Sequence, residues 1–221
     1  MKNTAKGLMV LVLVVIVTGG VFAQTQGFAV GARAIGTIPF YKPSSDFERD
    51  AGFSVDLEGD FGFGAAVQAS FNFTDLIGIQ AEVIYNSDTV KVKALGIEAA
   101  TIKASSLLLP VLVRVGTSFW NGIELTGLAG VYYTLPLGDG EVSLSPLAGG
   151  GSAKGAWTGS FGAMAGGVVG YRLGPGALFA DVRYAFDFFD SEFDFGGEKQ
   201  KVLSKSAIHI GIGYALQFGR W

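Results

Sequence analysis

A chain of 221 residues has room for one ordinary domain plus short appendages. Hydrophobic residues make up 49% of it and charged residues only 16%, where soluble domains carry about 25% charged, so its surface does not suit water. Cysteine is absent and a single histidine is present. That composition excludes a disulfide scaffold, a thiolate metal site, a Cys nucleophile and an acylated lipoprotein cysteine.

Residues 1–23 read as a secretory signal peptide. Lys2 and Lys6 form a positive start, Leu8 to Val17 an unbroken apolar core, and Val21-Phe22-Ala23 a small-residue cleavage pattern. Cleavage is expected between Ala23 and Gln24, leaving 24–221 as the mature domain. An uncleaved anchor is the rival, opposed by the helix-weakening Gly19-Gly20. Removal leaves a net charge of −5 (14 basic against 19 acidic residues). Nothing in this balance recommends nucleic acid as a partner, and no later stretch is long and apolar enough for a transmembrane helix.

The mature chain repeats one alternating pattern. In the run from Phe61 to Phe73, odd positions are aromatic or aliphatic and even positions are Gly62, Gly64, Ala66, Gln68, Ser70 and Asn72. Alternation of that length means a strand with two unlike faces. The same reading predicts eight strands, near 27–38, 60–73, 77–88, 103–116, 122–135, 157–173, 177–188 and 203–219. Helical periodicity never competes after residue 24. Short links at Thr74-Asp75-Leu76, 117–121 and Gly174-Pro175-Gly176 alternate with long ones at 39–59, 89–102, 136–156 and 189–202. That describes an all-β, eight-stranded antiparallel up-and-down transmembrane β-barrel, with short periplasmic turns and long extracellular loops.

A soluble barrel of lipocalin type would turn the large face inward. Here the smaller face is mostly Gly, Ala, Ser and Thr, and the large face carries aromatics near both strand ends. Phe28, Phe71, Phe73, Tyr171, Tyr214 and Phe218 lie at one end, and Phe61, Tyr85, Tyr133, Trp157, Tyr184 and Phe186 at the other. Two such belts are what membrane interfaces favour.

On these residues the chain resembles the small outer-membrane β-barrel domain family, PorT-like or similar to the OmpA transmembrane domain. The resemblance covers Gly27 to the C-terminus. It rests on the Gly-rich hairpin Phe61–Tyr85, on Leu107-Leu-Leu-Pro-Val-Leu-Val113, and on the closing strand Ile208–Phe218. It implies the outer membrane of a double-membraned bacterium, with outer-membrane lipid and the barrel-assembly machinery as partners. One departure concerns the family's terminal aromatic: Trp221 is out of phase with Phe218, so either Phe218 is the anchor or the last residues kink.

The strand-borne polar groups fall on the smaller, inward face: Arg33, Gln68, Glu82, Arg114, Glu124, Asp181, Arg183 and His209. A lipid-facing Arg or Lys would cost about 2–4 kcal/mol at the midplane. Symmetry about Asp75 sets Gln68 opposite Glu82, and symmetry about residue 119 sets Arg114 opposite Glu124. The reading is a paired polar plug, since buried charge survives only when paired and eight strands leave an interior filled by side chains. The inward glycines keep a narrow cation-leaning pore as the alternative, with Asp56, Glu58 and Asp60 forming an acidic mouth.

In the fourth loop, Asp187, Asp190, Glu192, Asp194 and Glu198 do not match calcium-loop spacing. A hairpin turning at Gly196-Gly197 explains them, pairing Asp194 with Lys199 and Glu192 with Lys201. A one-residue slip near Phe188-Phe189 suggests a bulge and sets Arg183 opposite His209. The Gly149–Gly155 stretch reads as a flexible loop. No metal or cofactor site is predicted. The expected role is non-enzymatic: structural, or surface interaction with an extracellular partner through protruding hairpins. A pore is the alternative, and a barrel enzyme acting on lipid or peptide a more distant one, because His209 lacks a Ser or Asp partner.

Overall fold

A computed structural model describes residues 27–43, 55–94, 97–118, 122–138, 140–145, 150–189, 191–195 and 198–219. The signal segment, its Ala23/Gln24 junction and Trp221 lie outside them.

Eight strands close a ring: β1 (Phe28–Pro43), β3 (Gly62–Asn72), β4 (Ile77–Ala94), β5 (Ile97–Ser118), β6 (Ile123–Pro136), β9 (Ser160–Leu173), β10 (Gly176–Asp187) and β12 (Glu198–Phe218). Neighbours in sequence pair antiparallel, and closure comes from β12, which pairs with both β1 and β10. No ring strand is left with a bare edge in lipid, where an unpaired peptide group costs several kcal/mol.

Period-two alternation places the faces. In β10, Ala177, Phe179, Asp181, Arg183 and Ala185 are buried, while Leu178, Val182, Tyr184 and Phe186 are exposed. The aromatic ends stay outward at Phe73, Tyr171 and Phe218 on one side and Phe61, Tyr85, Tyr133, Tyr184 and Phe186 on the other. Phe28 differs: it packs 6.2 Å from Phe218 and is nearly covered. The side chain of Trp157 lies outside the description.

The turns set the registers. Thr74 Oγ1 accepts hydrogen bonds from the Leu76 and Ile77 N–H groups at 3.2 and 2.9 Å, closing the first turn so that Gln68 opposes Glu82. Gly174 adopts φ +61 in the tightest turn, a conformation only glycine takes cheaply. The middle turn corrects the expected Arg114–Glu124 register. Gly122 at φ +77 carries that turn further, so Ser118 opposes Glu124 and Arg114 opposes Leu128.

Beyond the ring, β2 (Val55–Gly59), β7 (Gly140–Leu144), β8 (Gly151–Trp157) and β11 (Ser191–Phe195) extend the wall. β2 pairs with β4, β7 with β5 and β8, and β11 with β8 and β12. The stretch from Gly151 to Gly155, expected to be a flexible loop, is therefore strand, because β7 gives its backbone a ladder. Glu192 opposes Lys201 and Asp194 opposes Lys199 in register, with the irregularity at Ser191/Glu192 rather than at Phe188-Phe189. Arg183 opposes His209. The turn at Gly196-Gly197 lies outside the described residues, as do Asp190 and the side chains of Glu192, Asp194 and Glu198.

Polarity inverts where the wall leaves the bilayer. Within the ring, β4 turns Gln80, Glu82, Asn86 and Asp88 inward. Beyond Thr89 its inward residue is Val90, 5% exposed, and Lys91 and Lys93 occupy the other face. A strand that crosses from lipid into water must exchange its apolar side in this way.

Candidate functional site

The lumen is the site, and it is divided into two unlike halves. β1, β3, β4, β10 and β12 supply polar groups. Arg33 donates to Glu82 Oε2 at 2.9 Å and pairs with Asp181; Arg183 donates to Glu82 Oε1 at 2.7 Å. Arg183 Nε lies 2.8 Å from Asp181 Oδ1, although its N–H is not aimed at that oxygen. All four side chains have no solvent exposure. Each carboxylate meets two guanidiniums, which offsets the buried charge, while Arg33 Nε, Arg183 Nη2 and Asp181 Oδ2 have no hydrogen-bond partner among the described residues. The planar fork of arginine suits such a square better than lysine would.

Towards the turns a second network adjoins it. Gln80 donates to Glu82 and to Gln68 Oε1 at 3.3 Å, and accepts from Arg114 at 3.0 Å. Glu124 is held by Arg172 at 3.2 Å and by Gln217 at 3.2 Å. Arg114 and Glu124 thus both lie at this end without facing each other in register. Towards the loops, Thr37 donates to Asn86 Oδ1 at 3.0 Å and lies 3.2 Å from His209 Nδ1. Asn86 donates to Asp88 at 2.8 Å, and Asp88 also pairs with Lys205. Tyr132 donates to Asp187 at 2.6 Å. Along the described lumen, Arg33, Arg114, Arg172, Arg183 and Lys205 match Glu82, Asp88, Glu124, Asp181 and Asp187 one for one.

The other half is apolar. Ile84, Leu108, Leu112, Leu128, Tyr132 and Met164, from β4, β5, β6 and β9, form a buried cluster with Ile35, Ala66 and Ala185. Ile84 and Leu112 have no exposure at all. This corrects the expectation of an inner face made of small residues with a few charges.

The inward glycines turn out to be footprints. A Cβ on Gly211 would stand 2.6 Å from Asp181 Oδ2 and 3.0 Å from Arg33; on Gly213, 2.7 Å from the Phe179 ring; on Gly166, 2.7 Å from Arg183 Cγ; on Gly162, 2.6 Å from the Tyr132 ring. Each missing side chain is replaced by a larger neighbour, so glycine content fills this lumen rather than opening it. Among the described residues, small cavities of about 90 Å³ on the loop side and about 40 Å³ on the turn side remain.

At the outer mouth the expected acidic residues are offset. Glu58 pairs with Lys93, and Asp60 lies 2.9 Å from Lys91. Asp56 opposes Lys93 in backbone register; its side chain lies outside the description. The Lys93 hydrogen bond, then its charge, holds the Glu58 carboxyl below the usual carboxylate range. Among the described residues no group of three or more His, Cys, Asp or Glu could hold a metal ion.

Sequence reasoning found the strand-centre charges but passed over Thr37, Gln80, Asn86, Asp88, Arg172 and Lys205. Their signal was available: each shares the parity of Arg33, Glu82 or His209 on its own strand or, for Arg172, the inward phase of β9.

The fold recurs in solved barrels. OprG from Pseudomonas aeruginosa superposes with a TM-score of 0.61 at 14% identity, over 89% of this chain and 98% of that one. AlkL, determined in DMPC bilayers, gives 0.52 at 12% over 89% and 92%. A major outer membrane protein of Thermus thermophilus gives 0.50 at 15% over 86% and 99%. No curated protein matches the sequence. The model of the outer membrane protein beta-barrel domain matches residues 22–194. The chain belongs to that family, and its place is the outer membrane of a Gram-negative bacterium.

Proposed function

We propose that this barrel is a sealed, non-enzymatic scaffold that anchors an extracellular β-wall for contact with a partner outside the cell. The observation carrying this reading is the filled lumen: a charge-paired square and an apolar cluster lie side by side at mid-barrel, and the inward glycines accommodate their bulk. Above them, among the described residues, β2 has a ladder partner only in β4, and its other side lies against the upper part of β1, where a Cβ on Gly59 would stand 2.7 Å from Pro39. That part of β1 pairs only with β12 and carries Pro39 and Pro43, which cannot complete a ladder, so the protruding β2–β4 hairpin is the surface offered to a partner.

The signal segment 1–23 with cleavage between Ala23 and Gln24, the assembly machinery as a partner in biogenesis, and the interior cluster as the seal are parts of the same proposal. To test it, cells carrying the intact barrel and cells carrying one with 53–59 and 90–99 shortened are compared for surface binding and adhesion. Loss of a binding phenotype, with the barrel still folded in the membrane, supports the reading. Indifference to trimming sinks the surface role.

A further inference from the structure

The described lumen balances charge over its length but not at each end. The square is neutral in itself, with Arg33 and Arg183 against Glu82 and Asp181. On the loop side, Asp88 and Asp187 stand against Lys205. On the turn side, Arg114 and Arg172 stand against Glu124. The turn end therefore carries the positive excess, and the smaller cavity lies there.

Arg114 and Arg183 both line that cavity. Gln80 joins them: it accepts from Arg114 at 3.0 Å and donates to Glu82, the carboxylate that holds Arg183 Nη1 at 2.7 Å. Arg183 is 1% exposed. With Nη1 on Glu82 and Nε beside Asp181, its Nη2 has no hydrogen-bond partner among the described residues. Arg183 lines the turn-side cavity and not the loop-side one, so Nη2 is the arm of the fork left to face this space. The one carboxylate on the cavity, Glu124, is engaged by Arg172 and Gln217.

The floor supplies a separate observation. Gly170 faces the lumen between Glu124 and Phe179. At Gly162, Gly166, Gly211 and Gly213 an added Cβ would meet a neighbour closer than 3.0 Å, whereas at Gly170 it would meet nothing nearer than 3.5 Å. Larger neighbours fill the other four places, and this one is left open to the cavity.

We infer that the turn-side cavity binds one small monovalent anion of halide size, which enters from the periplasmic end. Its ligands are Arg183 Nη2 and the Arg114 guanidinium, both N–H donors that carry charge. A water molecule would satisfy Nη2 but leave the positive excess of this end uncompensated in a low dielectric; an anion answers both. The size follows from the space. One water-sized sphere needs about 10–15 Å³, so about 40 Å³ takes a monatomic ion and is cramped for a branched oxyanion.

The mature barrel, shown folded by heat-dependent gel shift, is unfolded in urea in sodium chloride and, at equal ionic strength, in sodium gluconate, whose long polyol chain does not fit. The unfolding equilibrium constant is expected to be about tenfold smaller in chloride, the effect of a ligand present at about ten times its Kd. Each variant is compared with itself in the two salts, so its own loss of stability does not enter. Arg114→Gln should abolish the chloride effect. Gly170→Ala, whose methyl group enters the cavity at ordinary contact distances, should at least halve it without touching a charge. Crystals grown in bromide should show an anomalous-scattering peak within hydrogen-bond reach of Arg183 Nη2. Equal unfolding in the two salts overturns the inference. So does a chloride effect that survives both substitutions, which would be a general salt effect on the surface, and so does a cavity without bromide, which would assign Nη2 to water.

Discussion

The two halves of the lumen solve one problem in different ways. On the β1/β3/β4/β10/β12 side, the interior is closed by ion pairs whose members cannot be removed singly, since each neutralises another. On the β4/β5/β6/β9 side it is closed by hydrocarbon, where each side chain contributes its own burial and packing. The polar half therefore specifies which strands face one another, because a misplaced strand would leave charge unpaired in a low dielectric. The apolar half supplies bulk and tolerates repacking. β4 belongs to both, with Glu82 facing the arginines and Ile84, two residues on, facing Leu112 and Met164.

The largest expected effect separates these halves. Glu82→Ala leaves Arg33 and Arg183 sharing Asp181 alone; breaking a buried network of this kind costs about 3–5 kcal/mol. Urea unfolding in detergent measures it, and a loss under about 1 kcal/mol, the scale of a single ordinary hydrogen bond, would mean that the square is hydrated and unimportant. Next comes Leu112→Ala, which leaves a cavity in the apolar half and is expected to cost about 3 kcal/mol. Combined with Ile84→Val, it should show coupling because the two positions share one cluster, whereas combination with Glu58→Ala in the extracellular wall should be additive.

A smaller effect is expected for Arg114→Ala. A direct Arg114–Glu124 register pair would make this change severe, but Glu124 keeps Arg172 and Gln217, so the loss is expected to stay below that of Glu82→Ala, at about 2 kcal/mol, the scale of a hydrogen bond to a charged group. A cost matching that of Glu82→Ala would show that Arg114 is the principal partner of Glu124 after all. The smallest effect lies outside the membrane. The lowered folded-state pKa of Glu58 means that its contribution is present above the ordinary glutamate range and lost as pH falls through the lowered value. Acidification should loosen the β2–β4 hairpin without unfolding the ring, seen as faster amide exchange in β2 before any change in β3. Simultaneous loss would contradict the separation of wall and ring.

Much of the barrel is legible in its sequence because lipid is a strict solvent. Charges on strands can face only inward, so Arg33, Glu82, Asp181 and Arg183 phase their strands unaided. The apolar half was passed over for the converse reason. From Leu107 to Val113 both faces are apolar, so period two loses its contrast, and only the inward parity of Arg114 marks Leu108 and Leu112 as facing the lumen while Val111 and Val113 point out. The middle turn was misplaced because its symmetry was centred on residue 119, and the backbone freedom of Gly122 lengthens it. β8 was missed because glycine-rich composition reports low intrinsic order, while strand pairing with β7 is a tertiary gain that composition does not record. The lysines of the outer mouth were not legible for want of register: only pairing shows Lys91 beside Asp60 and Lys93 beside Glu58.

Planar-bilayer conductance of the mature barrel, refolded in detergent and verified by heat-dependent gel shift, tests the central claim most directly. A sealed lumen is expected to give no discrete steps, with steps emerging only when the square and the apolar cluster are both cut, as in Glu82→Ala with Leu112→Ala. Regular cation-preferring steps from the unaltered barrel would contradict the seal and make the lumen a conducting path.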